Sequence, residues 1–494
     1  MRFIVPVVPI VPLVAVLSIT LEWSSITVMA AEPDSWDPAY YHDGELAGSL
    51  KTDQPLPLYD ADPTHLANRL FAAFYIRESN IPTKRGGQPV KRIEGGDVVD
   101  FYAWPSSAYW SEPATMNRIS ALLDECLAEP ARLRPADPLR RALLLRDLWA
   151  PFDFFIGLQI ARSGDQKTRQ QRDELCRKLA GVIRGLTLTA AEIASLPDTY
   201  TLAVHSGRFA TQHNFDPAVD YLPPRMLTNP EEWQEIDFYQ SPSIHDNLSE
   251  RFLTLHTRAY LGRSYFRIFY RFPGGRKALE AFLPQVEAQG VDWKRAAQRG
   301  FLALTDDAPQ VPVGTEVVLV QFMMTLDDQL RLTPTPVVET VRLRVFANVD
   351  GTAVPPTNTG VGMNVAEYAL KRRLLFASQK QGGLAREPDD QPLYRVIFMG
   401  DKAPDWGEIG RTLTLAQDCR RCHTGAGQIG VQTIFSLFNQ GGFAMGAQMG
   451  ISHPLAAHTP SPRGARAAAW KTQHESYRRL LEYTEEPLFR DRQR

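Results

Sequence analysis

Apolar residues recur at helical spacing through the first half of the chain, and β-branched, partly alternating runs take over after about residue 305. In THLANRLFAAFYIRE, Leu66, Leu70 and Phe74 stand four apart and predict an amphipathic helix. Glu112 to Ala128 repeats the pattern, with Ser111 as the expected N-cap and Ile119, Leu122, Leu123, Cys126 and Leu127 on the buried side. Pro138 to Trp149, Phe154 to Ala161 and Thr168 to Leu186 continue the helical character. Thr189 followed by Glu192 is a capping box for one more short helix, closed near Pro197. Thr315 to Met324 and Val337 to Val349 then predict antiparallel strands, with Asp327-Asp328 and Asp350-Gly351 as turns. Asn364 to Ser378 predicts a return to helix, Leu393 to Phe398 a short strand, and Arg463 to Arg494 an amphipathic helix carrying Trp470, Tyr477, Leu480, Leu481 and Tyr483.

The two ends of the pattern differ from the middle. Met1-Arg2, an apolar run from Phe3 to Ile19, and Val28-Met29-Ala30-Ala31 form the sequence of a secretory signal over residues 1–30, with cleavage expected after Ala30. A retained membrane anchor is the alternative; the run falls short of the roughly 20 apolar residues a spanning helix needs, and Pro6, Pro9 and Pro12 oppose a regular helix. Residues 31–63 are rich in Asp, Pro and Gly and read as a linker or surface arm. The expected organisation is α+β and mainly helical: a large helical region over 64–300, an α+β segment with a small antiparallel β element over 301–399, and a haem-binding region over 400–494 whose basis follows. With 494 residues, 44% of them hydrophobic, the chain can bury a large core, and a formal net charge of −2 gives no reason to invoke nucleic acid or an anionic membrane surface.

The strongest chemical signal is Cys419-Arg420-Arg421-Cys422-His423. Two cysteines three apart lie on one side of a helical turn, so both sulfurs can reach the two vinyl groups of one haem edge while the next residue turns its imidazole toward the iron. A zinc site would need two further ligands, and no second CxxC or HxxxH lies nearby. The flanking residues do not suggest the βα unit of a thioredoxin-like redox pair. Gly425-Ala426-Gly427-Gln428-Ile429-Gly430 matches the dinucleotide fingerprint GxGxxG, yet it follows CRRCHT rather than a strand and no Asp or Glu appears between Gly430 and His474 to hold a ribose.

CRRCH resembles the haem-attachment site of c-type cytochromes, and more loosely the last ~90 residues resemble a segment that wraps a haem. The resemblance implies one covalent haem c with its iron, thioethers at Cys419 and Cys422, and His423 as proximal ligand. It implies a sixth ligand as well, for which Met449 or Met445 in GGFAMGAQMGISHP is the leading candidate, ahead of His453, His458, His474 and Met399. Export and covalent haem attachment belong to the same compartment. The other two cysteines, Cys126 and Cys176, are an even remainder there and allow either one disulfide or two separately buried thiols.

Two weaker features lie between Thr199 and Pro273. Tyr200, Phe209, Phe215, Tyr221, Trp233, Phe238 and Tyr239 alternate with His205, His213, His245 and His256, a mixture that suits either a substrate pocket or ordinary packing. In LHTRAYLGRSYFRIFYRF the regular arginines, Arg258, Arg263 and Arg267, suit haem propionates or an acidic partner, or else a solvated face or local ion pairs. The functional expectation is an exported, monohaem, cytochrome-like protein that exchanges electrons with a redox partner protein; the alternatives are a haem enzyme, peroxidase-like or substrate-oxidising, and a haem-based sensor or surface component.

Overall fold

The computed structural model describes residues 53–81, 90–94, 110–160, 164–213, 216, 218–237, 263–289, 312–346, 363–387, 389, 393–395, 411–413, 450–452, 454, 456–459 and 461–485. All of them belong to one compact unit, Trp36–Arg494. The expected signal and the expected cleavage point fall outside the described residues, and no described helix is long and apolar enough to cross a membrane.

The helical half follows the sequence pattern closely. Helix α1 (Leu66–Tyr75) starts where the His65 imidazole accepts from the Ala67 amide, and it buries nearly its whole circumference. Its buried Asn68 accepts from the backbone of Leu58 and Tyr59 and donates to the carbonyls of Asp60 and Asp62, at 2.7–3.1 Å. That single amide satisfies a turn that would otherwise strand polar groups in the interior. As a result Leu56, Leu58 and Tyr59, the end of the stretch read as a linker, are core residues.

After the two-stranded hairpin β1 (Arg77–Ile81) and β2 (Val90–Glu94) comes helix α2 (Pro113–Ala128), which buries Ile119, Leu122, Leu123 and Cys126 as expected. Its N-cap is Glu112 rather than Ser111, without a side-chain cap, because Pro113 brings no N–H to the first turn and its fixed φ suits that position. The short α3 (Pro130–Leu133) leads to α4 (Pro138–Ile160), in which two expected helices run together through Pro151. Helix α4 is buried on every side over most of its length, the condition of a central helix. Helix α5 (Gln166–Gly185) is capped by Asp165, and the capping box of Thr189 and Glu192 opens α6 (Ala190–Ala194), both before α7 (Thr199–His205).

The β half is larger than the alternation suggested. Seven antiparallel strands form one sheet in the order β11-β3-β4-β5-β6-β7-β8: β3 (Trp233–Asp237), β4 (Ser264–Arg271), β5 (Glu316–Leu326), β6 (Leu332–Phe346), β7 (Met363–Leu370), β8 (Leu384–Arg386) and β11 (Gly450–Ser452). Strands β3 to β8 form a meander, and β11 adds to its first edge from far along the chain. Helix α8 (Gly275–Gln289) contacts β3. On one face Tyr265, Phe269, Val318, Val320, Phe322, Val341, Leu343 and Tyr368 join the core shared with the helices. The opposite face, with Phe266, Ile268, Tyr270, Val317 and Phe346, is buried as well. Burial on both faces removes the period-2 signal, which is why SYFRIFYR does not announce itself as a strand.

Asn364 to Ser378 departs from its expected helix. It forms β7 and only then the short α9 (Arg372–Ala377). MNVAEYAL contains good helix formers, but pairing with Thr340–Phe346 of β6 overrides that preference. The chain then turns through Gly382, whose φ of +68° and close approach to Thr199 and Ala203 of α7 admit no side chain.

Candidate functional site

Strand β10 (Arg411–Leu413) pairs antiparallel with β9 (Leu393–Arg395), six residues before Cys419. The chain is next described at Gly450 of β11, immediately after Met449; Gly450 pairs with Asp237 of β3 and Ser452 with Glu235. Cys419, Cys422, His423, Met445 and Met449 themselves lie outside the described residues, as do Arg420, Arg421, His453 and Met399. The described residues therefore give the two limbs that flank CRRCH. Of the rival ligands, His458 is exposed and His474 sits between the two C-terminal helices, half-buried.

The chemistry of the donor set fits a covalent haem. Cys126 and Cys176 are free thiols sealed in the core; burial pushes Cys126 up to about 12, and Cys176 well above its ordinary value. Of the two alternatives for this pair, the structure has the separate thiols. Cys419 and Cys422 are thus the remaining candidates for thioethers, with an imidazole next in the chain. Among the described residues no group of three or more His, Cys, Asp and Glu is arranged to hold a metal ion.

The returning limb is fastened by buried charge. It continues as α10 (Pro462–Lys471) and α11 (Glu475–Glu485), where one helix was expected; α10 packs on β4 and β6, and α11 on α4 and α5. Arg463 donates to Glu235 at 2.6 Å, and Arg267 holds both oxygens of the same carboxylate at 2.8 Å. Lys471 and Arg263 share Asp153 of α4, at 3.1 and 2.8 Å, with all three side chains completely buried. Tyr477 donates to the Leu330 carbonyl, Tyr483 to Asp173, and Arg184 to the Thr484 carbonyl. Of the readings open for Arg263 and Arg267, propionates, an acidic partner, a solvated face or ion pairs, the structure has ion pairs, with interior carboxylates.

Two further buried clusters sit along α4. Asp147 accepts from Tyr59 and Arg372, and burial raises its pKa despite those partners. Arg146 reaches Glu339, which also accepts from Ser264 and, at 3.0 Å, from Gln321. Charges this deep survive only as paired, hydrogen-bonded sets, so they fix which helix face meets which strand.

A separate cavity of about 400 Å³ opens where β3 and β4 meet the segment after α7. It is lined by Thr211, Gln212, His213, Tyr221, Pro224, Arg225, Glu232, Trp233 and Arg271. Three residues of the aromatic and histidine series, His213, Tyr221 and Trp233, therefore do line a pocket, while Tyr200 and Phe209 are core. His245 and His256 lie outside the described residues. The Tyr221 hydroxyl donates to the buried Glu316 at 3.0 Å, and Arg271 pairs with the other oxygen of that carboxylate. No motif spacing signals that Arg225, Glu232, Arg271 and Glu316 come together, since they belong to three separate segments of the chain.

No protein-family model, no characterised protein and no solved structure matches the chain.

Proposed function

We propose that the chain is an exported, monohaem, c-type cytochrome-like protein that passes electrons to or from a redox partner protein. The observation that carries the reading is CRRCH: two thiols and an imidazole at haem-attachment spacing, in a chain whose other cysteines are buried thiols. Cys419 and Cys422 would hold the haem through their sulfurs and His423 through its imidazole, with Met449 or Met445 as the candidate further ligand. A haem c bound there supplies a one-electron ferric/ferrous couple whose potential follows axial ligation, burial and nearby charge. Arg420 and Arg421, between the anchors, place positive charge where an acidic partner would approach. The amino-terminal secretory pattern supports the reading, since export brings the apo-protein to where haem is attached.

The test is the ferrous spectrum of protein matured with haem-attachment machinery, with and without carbon monoxide. A six-coordinate ferrous haem that does not take up carbon monoxide is the expected result. Rapid uptake shows an open iron position and replaces electron transfer by catalysis or sensing. Met445→Ala and Met449→Ala, made separately, locate the distal ligand: the correct one alters the spectrum, and no change in either excludes both.

A further inference from the structure

The cavity between β3, β4 and the segment after α7 has a charge layout of its own. Arg271 is 41% exposed, whereas its partner Glu316 is completely buried behind it. The carboxylate is further committed to Tyr221, so it neutralises the guanidinium from the inner side only. Arg271 Nε is buried with no hydrogen-bond partner among the described residues. A guanidinium offers five N–H donors, and the single bond to Glu316 leaves others for the cavity. Arg225, 61% exposed, spends one donor on Glu232 at 2.6 Å. Thr211 and Gln212 add exposed donor groups on the wall. Burial lowers the pKa of His213, so this imidazole brings no charge near neutral pH.

The described lining thus carries two cationic donor groups on its wall, Arg271 and Arg225. Among the described lining residues the acidic side chain is Glu232, already paired with Arg225. A cation would face two guanidiniums with no uncommitted carboxylate to meet it, and a neutral polyol would draw no charge-assisted bond strength from the guanidinium N–H groups that Glu316 and Glu232 do not use. An oxyanion matches them: carboxylate and phosphate oxygens take charge-assisted, bidentate bonds from Arg. The cavity is at the small end of ligand sites, which limits the guest to a small molecule. We propose that this cavity binds a small oxyanion, a carboxylate- or phosphate-bearing molecule, between Arg271 and Arg225. The site stands apart from the haem reading and needs no part of it.

The test titrates the full chain with succinate and with inorganic phosphate, followed by calorimetry and by Trp fluorescence, since Trp233 lines the cavity and is the cross-strand neighbour of Arg271. Saturation by one or both anions is expected, and the one that saturates at lower concentration identifies a carboxylate or a phosphate ligand. The double substitution Arg271→Gln with Glu316→Gln removes the cation without stranding its buried partner, and should weaken binding about ten- to a hundredfold. Arg225→Gln, at an exposed position, should weaken it roughly threefold or more even if the double variant fails to fold. Absence of saturation by either anion at about 10 mM, tighter binding of putrescine than of both anions, or unchanged affinity in Arg225→Gln would overturn the proposal.

Discussion

Asp153→Ala removes a carboxylate that two buried cations share. Lys471 Nζ lies 3.1 Å and Arg263 Nη1 2.8 Å from Asp153 Oδ2, and none of the three side chains reaches solvent. Burial already pushes Arg263 down to about 10, with Asp153 the leading influence holding it up. Removing one partner of a buried pair costs about 3–5 kcal/mol, because the desolvated charge stays behind. Here two cations stay behind, and Lys471 retains its 3.0 Å bond to Ser476 and its place 5.3 Å from the Trp149 ring. A loss of about 3–5 kcal/mol is therefore expected, a large share of the 5–15 kcal/mol that domains typically have. Lys471→Met takes the trio from a net charge of +1 to zero and leaves the Arg263–Asp153 pair intact, so it should cost about 1 kcal/mol or less. Urea unfolding followed by circular dichroism measures both. Hydrogen exchange should show α10 and α11 loosening first in Asp153→Ala, since Lys471 ends α10 and Ser476 lies in the first turn of α11. A cost below about 1 kcal/mol for Asp153→Ala, or an equal cost for Lys471→Met, would refute the shared-charge reasoning.

Three further outcomes follow from other parts of the fold. Gly382→Ala puts a Cβ against Thr199 O and Ala203 N at a φ of +68°, and should lower the urea midpoint by the equivalent of about 3 kcal/mol with little change in slope. For Glu192, burial opposes ionisation, but the Arg141 pair and the Thr189 bonds win and hold the carboxyl down to about 2 from 4.5. Its folded pKa is depressed, so its contribution is complete above pH 4.5 and disappears as pH falls through about 2; after solvent screening this is about 1 kcal/mol, and Glu192→Gln should flatten that part of the acid limb. Cys126 and Cys176 should resist thiol reagents in the native state and react as two free thiols in denaturant, with no change of mobility on reduction.

Local signals carried much of the helical half. Leu66, Leu70 and Phe74 fix α1, and the Thr189 and Glu192 pair fixes the start of α6, because capping and helical spacing depend on residues a turn apart. The sheet was less legible. Strands β3 and β4 lie in a stretch that reads as aromatic and basic, and Arg263, just before β4, and Arg267 within it look like surface residues until Asp153 and Glu235 arrive from elsewhere in the chain. The same holds for β7, where the strand exists through its pairing with β6. The cavity depended on the same long-range assembly: His213, Tyr221 and Trp233 stood out as residue types, while Arg271 and Glu316 acquire their roles only as cross-strand neighbours on β4 and β5. CRRCH is the opposite case, a motif legible from five consecutive residues alone.

The haem assignment is tested most directly by retention of haem on the polypeptide. Protein exported with haem-attachment machinery is extracted under denaturing, acidic organic conditions, and the reduced pyridine spectrum of the washed chain is recorded beside that of Cys419→Ser with Cys422→Ser. A c-type spectrum that survives extraction in the parent and vanishes in the double variant, while the variant keeps its far-ultraviolet circular dichroism, is the expected result. A parent chain that retains no haem, in cells where a control c-type cytochrome matures, would contradict covalent attachment at CRRCH and with it electron transfer through this site.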